Sequence, residues 1–303
     1  MTLDASIVVP SFRGAMRLPR LFAALEKQTN TSYECIVAID GDLDGSAAVV
    51  EAWSDRIPVR AVVFEENRGR SAALNAGHEA AHGTVLIRCD DDLRPPPQFI
   101  AEHVATHEGR SVGAVGMCLD VFEDTAFALA YGRTARDSMR QLTYSMPEQG
   151  MWRRWGANVS ITQDLWSQIG PYDLRFTQYG WEDIDYGYRL HLAGVPVVLR
   201  PELEVEHLNP APTASLRASK AFASGESRAV FSEKHGSGVL SDSAPTGSPW
   251  NVAVRTVAGT MRSQRAVHRW GTPADYAVNH LPPKAGRKVA ALLIEAAGAA
   301  SLH

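Results

Sequence analysis

TVLIRCDDDLRPP, residues 84–96, combines an apolar run, three consecutive carboxylates and a proline-rich turn. The apolar part predicts a buried strand over 84–88. Because the carboxylates of Asp90, Asp91 and Asp92 repel one another, a fold that places them at the end of a strand favours a bound cation. Hard oxygen ligands suit Mg²⁺ or Mn²⁺, which commonly hold phosphate-bearing substrates. A solvated acidic turn is the alternative that this segment alone leaves open.

Strand and helix patterns alternate through the first half of the chain. Apolar runs predict strands over 5–10, 33–39, 59–64 and 84–88, and helical patterns occupy 18–28, 46–53 and 71–81. This alternation predicts an α/β fold with a mostly parallel central sheet and helices on both faces. Ligand-binding loops of such a sheet follow the carboxyl ends of its strands. Asp40 and Asp90 each follow a predicted strand and are therefore candidates for ligand binding.

The second half of the chain is less regular. We expect strands over 112–119 and 195–199, helices over 165–170, 184–193, 213–235 and 288–297, and a polar, partly loop segment over 120–150. Residues near 235–250 are rich in Gly, Ser and Pro, which predicts a linker. The expected organisation is a catalytic domain over 1–210 and a helical C-terminal extension over 211–303 that contains this linker.

The composition is that of a globular protein, with 45% hydrophobic residues and a formal net charge of −4. No basic run is present, so we expect no nucleic-acid partner. The apolar stretches fall short of the ~20 residues that a membrane-spanning helix needs, and no signal peptide is expected ahead of the first strand. Cys35, Cys89 and Cys118 lie in apolar segments and are odd in number, which indicates reduced thiols. We therefore expect a cytoplasmic protein, for which peripheral membrane contact and a homodimer remain open.

Residues 40–51, DGDLDGSAAVVE, fit the spacing of a calcium-binding loop. A calcium hand needs a helix before the loop, whereas a strand is predicted there. The favoured alternative is that Asp40 ends a strand and binds a ligand. Asp44 would then cap the helix that begins near Ser46.

A second acidic cluster lies in YGWEDIDYGYRL, residues 179–190. Glu182 and Asp183 are predicted in the first turn of a helix, where the helix dipole stabilises carboxylates. Trp181 offers an apolar wall, and partial desolvation beside such a wall raises the pKa of a carboxyl group toward that of a general base. The alternative is that both acids only cap the helix.

Two further kinds of side chain are candidates for a site. His207 would complete a metal site with Asp92, although a lone histidine is more commonly structural. Trp152, in the segment MWRRW over 151–155, and Trp181 would stack on the ring of a substrate. Core packing is the alternative for both tryptophans.

Several segments occur in an order that resembles one enzyme family. They are SIVVPSFRG (6–14), CIVAIDGDLDG (35–45), ENRGRSAALNAG (66–77), CDDDLRP (89–95), GANVSI (156–161) and GWEDIDYGYRL (180–190). Together they resemble the family 2 glycosyltransferases, which have the GT-A fold, over roughly residues 5–210. CDDDLRP is similar to the DXD motif of the family, and GWEDIDYGYRL is similar to its ED motif.

The resemblance implies a role for each matching residue. Asp183 is implied as the catalytic base, Asp92 and His207 as metal ligands, and Asp40 as the residue that recognises uracil. Two positions depart from the family pattern, since Arg13 stands where Asn is common and Leu74 where Arg is common. The other implied donor-binding residues are Pro10, Phe12, Arg13, Asn67, Gly69, Arg70, Asn75, Asp90 and Asp91, and the implied acceptor-binding residues are Trp152, Trp181 and Glu182.

The implied activity is that of an inverting hexosyltransferase that depends on Mn²⁺ or Mg²⁺. The implied donor is a UDP-sugar, UDP-glucose or UDP-N-acetylglucosamine, and the acceptor is a hydroxyl of a small natural product or of a nucleoside-like or antibiotic scaffold. The alternatives are a cell-surface or lipid-linked glycan as acceptor, and an inactive nucleotide-sugar-binding module. A sugar-phosphate nucleotidyltransferase would need a Gly-rich loop with basic residues, whereas PSFRGAMRLPR, residues 10–20, has one glycine.

Overall fold

A computed structural model describes residues 3–240 and 247–301, which form two compact units. The first unit takes residues 3–119, 140–177 and 182–208, and the second takes the remaining described residues. The helical extension expected from residue 211 therefore shares its unit with two segments from the middle of the chain. Residues 241–246 of the expected linker lie outside the described residues.

Ten strands are present in the described part of the chain. They are Leu3–Ser11 (β1), Tyr33–Ile39 (β2), Val59–Val63 (β3), Gly83–Cys89 (β4), Leu93–Arg94 (β5), Gly113–Val115 (β6), Cys118–Asp120 (β7), Asn158–Thr162 (β8), Val197–Leu199 (β9) and Val205–His207 (β10). Seven of them form a sheet in the order β3-β2-β1-β4-β8-β6-β9, in which β8 alone runs antiparallel to its neighbours. A small second sheet has the order β5-β10-β7. The expected α/β fold with a mostly parallel sheet is confirmed.

Eleven α-helices occur in the same described residues. They are Leu18–Leu25 (α1), Ser46–Trp53 (α2), Arg70–Glu79 (α3), Phe99–His107 (α4), Arg133–Tyr144 (α5), Gln163–Ile169 (α6), Glu182–Leu192 (α7), Ala214–His235 (α8), Pro249–Ala258 (α9), Gln264–His280 (α10) and Pro283–Ala300 (α11). Short 3₁₀ segments span Glu148–Arg154, Pro201–Leu203 and Ser237–Val239, and a π-helical turn, Ala128–Gly132, precedes α5.

The order of the first four strands creates a switch point between β1 and β4. From β1 the chain moves outward to β2 and β3, and it then returns to the other side of β1 to form β4. These four strands are parallel, so their carboxyl ends lie at one edge of the sheet. The connections that follow β1 and β4 diverge at this edge and leave a crevice, which is where sheets of this kind bind ligands.

Burial on both faces explains the continuous apolar sequences of the first strands. Every residue of β2 is buried. Leu18, Leu21 and Phe22 of α1 pack into the core on one side of the sheet. Gly77 of α3 lies so close to Val8 of β1 that a Cβ at this position would overlap the valine side chain. Local apolar patterns therefore correspond directly to the sheet and its covering helices.

Two segments in the middle of the chain differ from their sequence patterns. The strand predicted over 112–119 is two short strands, because the chain leaves the large sheet after Val115 and joins the small sheet at Cys118. The segment over 120–150 is partly loop, as expected, but it also contains α5 and the π-helical turn before it, which were not predicted. Thr143 is the one buried residue of α5. Intrinsically good helix formers such as Arg, Ala, Met and Leu account for this helix, which its polar composition concealed.

The second unit has a core made largely of small residues. Helices α8 to α11 contribute Ala214, Ala218, Val254, Val278, Ala290, Leu293 and Ala297, and the segment before α5 contributes Phe127 and Ala130. The helices approach closely, since a Cβ on Gly225 of α8 would overlap Ser301 after α11. The predicted Ala-rich helix over 288–297 is confirmed as part of α11.

None of the described helices combines the length and the apolarity that crossing a bilayer requires. Cys35, Cys89 and Cys118 are free thiols, and the first two are buried.

Candidate active site

The switch point brings several of the predicted site residues to one edge of the first unit. Phe12 and Arg13 follow β1, Asp40 follows β2 and Asp90 follows β4. Phe12 is 40% exposed, and Arg13 is exposed in a backbone conformation with φ of +52°. Pro10 is buried within β1. The loop after β1 therefore presents an aromatic ring and a guanidinium to solvent at the edge where a ligand is expected.

The middle carboxylate of the acidic run is bound by the protein itself. Arg17 donates to Asp91 through Nε, 2.8 Å from Oδ1, and through Nη2, 2.8 Å from Oδ2. Ser11 Oγ donates to the same Oδ2 at 2.6 Å, and Asp91 is 6% exposed. Asp91 thus fastens the loop after β1 to the loop after β4. Its expected contact with a donor stays a prediction.

Asp40 holds the loop that precedes α3. Its Oδ1 accepts from the backbone N–H of Arg68 at 2.6 Å, and its Oδ2 accepts from that of Gly69 at 2.9 Å. Gly69 has a φ of +91°, which favours glycine. Asn67 and Arg70 are exposed on either side of these two amides. Asp40 therefore shapes the loop that carries the exposed side chains of Asn67 and Arg70.

The segment over 40–51 is not a calcium hand, because it follows β2 rather than a helix. Gly45, rather than the predicted Asp44, is the N-cap residue of α2, although Asp44 accepts from the backbone N–H of Ser46 at the start of this helix. Asp44 also accepts from the N–H of Ala15 at 3.0 Å and from Ser46 Oγ at 2.6 Å. It thus ties the loop after β2 to the loop after β1.

Asn75 of α3 is used by the backbone of a distant segment. Its Nδ2 donates to the carbonyl of Tyr172 at 2.9 Å, and its Oδ1 accepts from the N–H of Tyr172 at 2.7 Å. Asn75 is 8% exposed. Because both ends of the amide are occupied, Asn75 fixes the segment ahead of α7. Its expected place beside the nucleotide stays a prediction.

Asp92 and His207 lie together, although 115 positions separate them. The pairing of β5 with β10 places His207 opposite Leu93, and His207 Nε2 is 3.1 Å from Asp92 Oδ2. Burial alone would raise the pKa of Asp92, but the hydrogen bond and charge of His207 outweigh it, so this pKa lies below its usual value. The Asp92 carboxylate is therefore ionised at neutral pH.

The spacing of these two side chains fits a divalent cation. Neighbouring ligand atoms of an octahedral Mg²⁺ or Mn²⁺ site lie about 3 Å apart, and about a quarter of each side chain is exposed, 23% for Asp92 and 24% for His207. Within residues 3–240 and 247–301 no group of three or more His, Cys, Asp or Glu side chains is arranged to hold a metal. A cation bound here would take its other ligands from water and substrate.

Arg88 of β4, which the sequence motifs do not single out, joins the two acidic clusters. Its side chain is 1% exposed. Nε donates to Asp90 Oδ1 at 2.9 Å, and Nη1 donates to Asp183 Oδ1 in the first turn of α7. A cation inside an apolar strand is the signal that could have identified it, because a buried charge requires buried partners.

Asp183 occupies an environment suited to proton transfer. Its side chain is 16% exposed. Burial raises its pKa to about 7, with Glu182 adding to the rise and with Arg88 and Arg70 opposing it. A carboxyl group with a pKa near neutrality can both exist as a base and hold a proton at working pH.

Glu182 lies beside Asp183 and is 2% exposed. Its Oε1 accepts from Arg70 Nη1 at 3.2 Å. Its Oε2 is buried, and no hydrogen-bond partner for it occurs among the residues that the structure describes. A buried carboxylate oxygen without a donor is unfavourable by about 1–3 kcal/mol or more. A substrate hydroxyl would satisfy it.

The two candidate tryptophans differ in their surroundings. Trp152 is 3% exposed, and its ring lies 4.8 Å from that of Tyr188 on α7. This burial supports the core-packing alternative for Trp152 and leaves little ring surface for an acceptor. Trp181 belongs to the second unit, has a φ of +73° and packs its ring 5.4 Å from that of Phe231.

Residues 6–164, just over half of the chain, match the family model described as glycosyl transferase family 2. The chain belongs to this family. A solved mannosyltransferase from Pyrobaculum calidifontis, in complex with GDP-Man and Mn²⁺, superposes on this chain with a TM-score of 0.63 at 17% identity. The match covers 98% of this chain and 86% of the mannosyltransferase chain. The family 2 glycosyltransferase therefore has the expected GT-A fold.

Two curated relatives indicate the range of family 2 transferases to which the chain is similar. Validoxylamine A glucosyltransferase of Streptomyces hygroscopicus subsp. jinggangensis is 27% identical over 239 residues, which cover 65% of this chain and 53% of the relative. An undecaprenyl-phosphate 4-deoxy-4-formamido-L-arabinose transferase of Pseudomonas fluorescens is 35% identical over 127 residues, which cover 40% of this chain and 37% of the relative. The chain thus spans about half the length of the first relative and less of the second.

Proposed function

We propose that this glycosyltransferase moves a hexose from a UDP-sugar to a hydroxyl of a discrete acceptor and inverts the anomeric configuration. The main support is the ion pair of Arg88 with both Asp90 and Asp183. It joins the acidic loop at the switch point to a carboxyl group whose pKa of about 7 suits a general base. A module that only bound a nucleotide-sugar would not need such a base beside its donor-side acids.

Proton transfer and substitution are divided among a few residues. Asp183 accepts the proton of the acceptor hydroxyl, and the acceptor oxygen forms a bond to the anomeric carbon. The bond from that carbon to the diphosphate breaks, and its electron pair leaves with UDP. A divalent cation held by Asp92 and His207 would neutralise charge on the diphosphate. Attack from the face opposite the leaving group inverts the configuration, as in inverting hydrolysis.

The donor-side roles follow from exposure at the sheet edge. Phe12, Arg13, Asn67 and Arg70 are exposed there and are assigned to the nucleotide. Asp40, Pro10 and Gly69 also remain assigned to the donor, Asp40 to its uracil, and Asp90 remains assigned to the ribose. Glu182 is assigned to a sugar or acceptor hydroxyl because its buried Oε2 lacks a donor. Trp181 directly precedes it in the chain and keeps its expected role in acceptor binding.

A discrete acceptor is favoured by the relative that is named a validoxylamine A glucosyltransferase. The second candidate is a lipid-linked acceptor, which is favoured by the undecaprenyl-phosphate transferase that matches the chain over 127 residues. The free thiols of Cys35 and Cys89 support a cytoplasmic location, where thiols stay reduced.

The first experiment is a screen of donors for slow hydrolysis. UDP-, GDP- and dTDP-sugars are each incubated with the protein and Mn²⁺, Mg²⁺ or EDTA, and nucleotide release is measured. We expect release from one UDP-sugar that EDTA abolishes. Release from a GDP-sugar instead would overturn the donor assignment, and the absence of both release and calorimetric donor binding would favour an inactive module.

Two substitutions test the assigned roles. Asp92→Ala should abolish metal-dependent release, and Asp183→Asn should lower transfer at least 10³-fold, on the scale of about 10²–10⁴ for a general base, while it spares donor binding. The matched control is Asp185→Asn, which removes a buried carboxylate paired with Arg189 on the same helix. Near-normal transfer by Asp183→Asn would show that another group is the base.

A further inference from the structure

Arg88 is the largest fully buried side chain of the described residues. It lies within β4 between apolar neighbours, so its charge is compensated by its contacts and not by water. Those contacts are acidic, since Nε and Nη2 face the two oxygens of Asp90 and Nη1 faces Asp183. One buried cation is thus shared by the donor-side acid and the base.

We propose that Arg88 is a positioning residue, which orients the carboxylate of Asp183 toward the acceptor and favours its ionised form. The inference rests on the proposed function, in which Asp183 is the base. It adds a residue that neither the DXD-like nor the ED-like segment contains.

The charges that face Asp183 make the contribution of Arg88 specific. Glu182 on its own helix and Asp90 after β4 disfavour the ionised form, as burial does. Tyr172 ahead of α7 is uncharged at neutral pH, because burial raises the pKa of its phenol. Arg70 of α3 opposes them, but its side chain is 42% exposed and is paired with Glu182. Arg88 is the one described side chain that hydrogen-bonds to Asp183. Loss of its charge would leave a buried carboxylate among like charges, where the neutral form is favoured.

The shared contact also links the two halves of the reaction. When Asp183 takes the acceptor proton it becomes neutral, and its ion pair with Arg88 becomes an ordinary hydrogen bond. The charge of Arg88 then remains balanced by Asp90. Release of the proton from Asp183 to water restores the pair before the next turnover.

The experiment measures the protonation midpoint of Asp183 in the whole protein, without substrate. Infrared difference spectra follow the carboxyl C=O band over a pH titration, and Asp183→Asn assigns the band by its loss. The variants are Arg88→Met, Arg88→Gln, which keeps donors without charge, and Arg88→Lys, which keeps the charge but pairs with one carboxylate. Arg189→Met is the control, because it removes a half-buried arginine paired with Asp185 on the same helix.

We expect Arg88→Met and Arg88→Gln to raise the midpoint by at least one pH unit. The acidic limb of kcat should move equally, so transfer falls at least about fivefold at pH 7 and recovers at alkaline pH. Arg88→Lys should shift the midpoint less, and Arg189→Met should leave it unchanged. Where Arg88→Met does not fold, Arg88→Gln decides.

A uniform loss of transfer at every pH with an unmoved midpoint would make Arg88 a merely structural residue and overturn the proposal. The spectroscopic readout needs no turnover, so it tests the role of Arg88 separately from the proposed transferase function. A shifted midpoint in a protein that transfers no sugar would support the Arg88 assignment and refute the proposed function. Transfer with an unmoved midpoint would refute the Arg88 assignment and support the proposed function.

Discussion

At the scale of single residues, Gly14 determines how the loops at the sheet edge are held together. A Cβ at this position would overlap Ser11 Oγ and lie 2.7 Å from Asp91 Oδ2. These two oxygens are hydrogen-bonded at 2.6 Å, and the N–H of Gly14 donates to Ser46 Oγ at 3.1 Å. The absence of a side chain therefore lets the loops after β1, β2 and β4 meet at one point.

We expect Gly14→Ala to lower the free energy of unfolding by about 1–3 kcal/mol, because it displaces a buried hydrogen bond to Asp91. Binding of UDP should weaken as well, since Phe12 and Arg13 lie on the loop that Gly14 fastens. Urea unfolding and calorimetry measure the two effects. The control is Gly298→Ala in α11, where a Cβ meets nothing within 4 Å. This substitution should leave the free energy of unfolding unchanged or raise it by up to ~1 kcal/mol. Unchanged stability of Gly14→Ala would mean that the side chains of Ser11 and Asp91 can move to accommodate the added methyl group.

The contacts of the site residues show what the sequence could and could not predict. Motifs place Asp40, Asp90 and Asp92 at the ends of strands, because strand ends are marked by local apolar patterns. They do not predict that Asp91 is paired with Arg17, or that Arg88 hydrogen-bonds to Asp183, which lies 95 positions away in the sequence. Such partners depend on strand order and helix placement, which no local pattern contains.

At the scale of elements, α4 and β8 share a buried polar network. His103 and His107, one turn apart on α4, both reach Ser160 Oγ of β8 at 2.8 Å. His103 Nε2 also lies 3.1 Å from Oδ1 of Asn158, two positions along the strand and so on the same face. Burial lowers the pKa of His103 to about 3 and that of His107 to about 4. Both imidazoles are therefore neutral in the folded protein.

This network predicts a loss of stability in mild acid. An unfolded histidine binds a proton near pH 6.5, whereas these two resist protonation until far lower pH, so the unfolded state binds more protons between about pH 6.5 and 4. Stability is thus complete above pH 6.5 and falls on acidification, by up to about 1.4 kcal/mol per pH unit for each histidine. Urea unfolding of His103→Gln from pH 7 to 4.5 should show a shallower pH slope. His268→Gln, at an exposed histidine, should keep the original slope, and an equal slope in both variants would contradict the assignment.

The same elements explain the success and the failure of sequence patterns. Strands β1 to β4 agree with their predictions within a few residues, because each contains a local apolar run, which in β1, β2 and β4 is buried on both faces. The position of β8, antiparallel between β4 and β6, is set by pairings such as Val85 with Thr162. Those pairings join residues far apart in the chain, so the order of the strands beyond β4 was not predictable.

At the scale of the whole molecule, the second unit is assembled from separated parts of the chain. Phe127 and Ala130, which precede α5, belong to the same core as Ala290 and Leu293 of α11. A boundary at residue 210 would therefore cut between residues that are packed together within one unit. The helices after residue 210 thus cover apolar side chains that come from the middle of the sequence.

A chain ending at residue 210 tests whether the first 210 residues fold alone. We expect it to bind the apolar dye ANS and to lack a cooperative thermal transition, because Phe127 and Ala130 lose the helices that bury them. Full-length Leu293→Ala is the matched control, since it weakens the same core by about 2–5 kcal/mol without removing a helix and should still unfold cooperatively. A monomeric 1–210 chain with a sharp transition would instead establish residue 210 as a domain boundary. Nucleotide release by that chain would further show that 211–303 is dispensable for donor chemistry, which would place acceptor selection as the remaining role of the C-terminal helices.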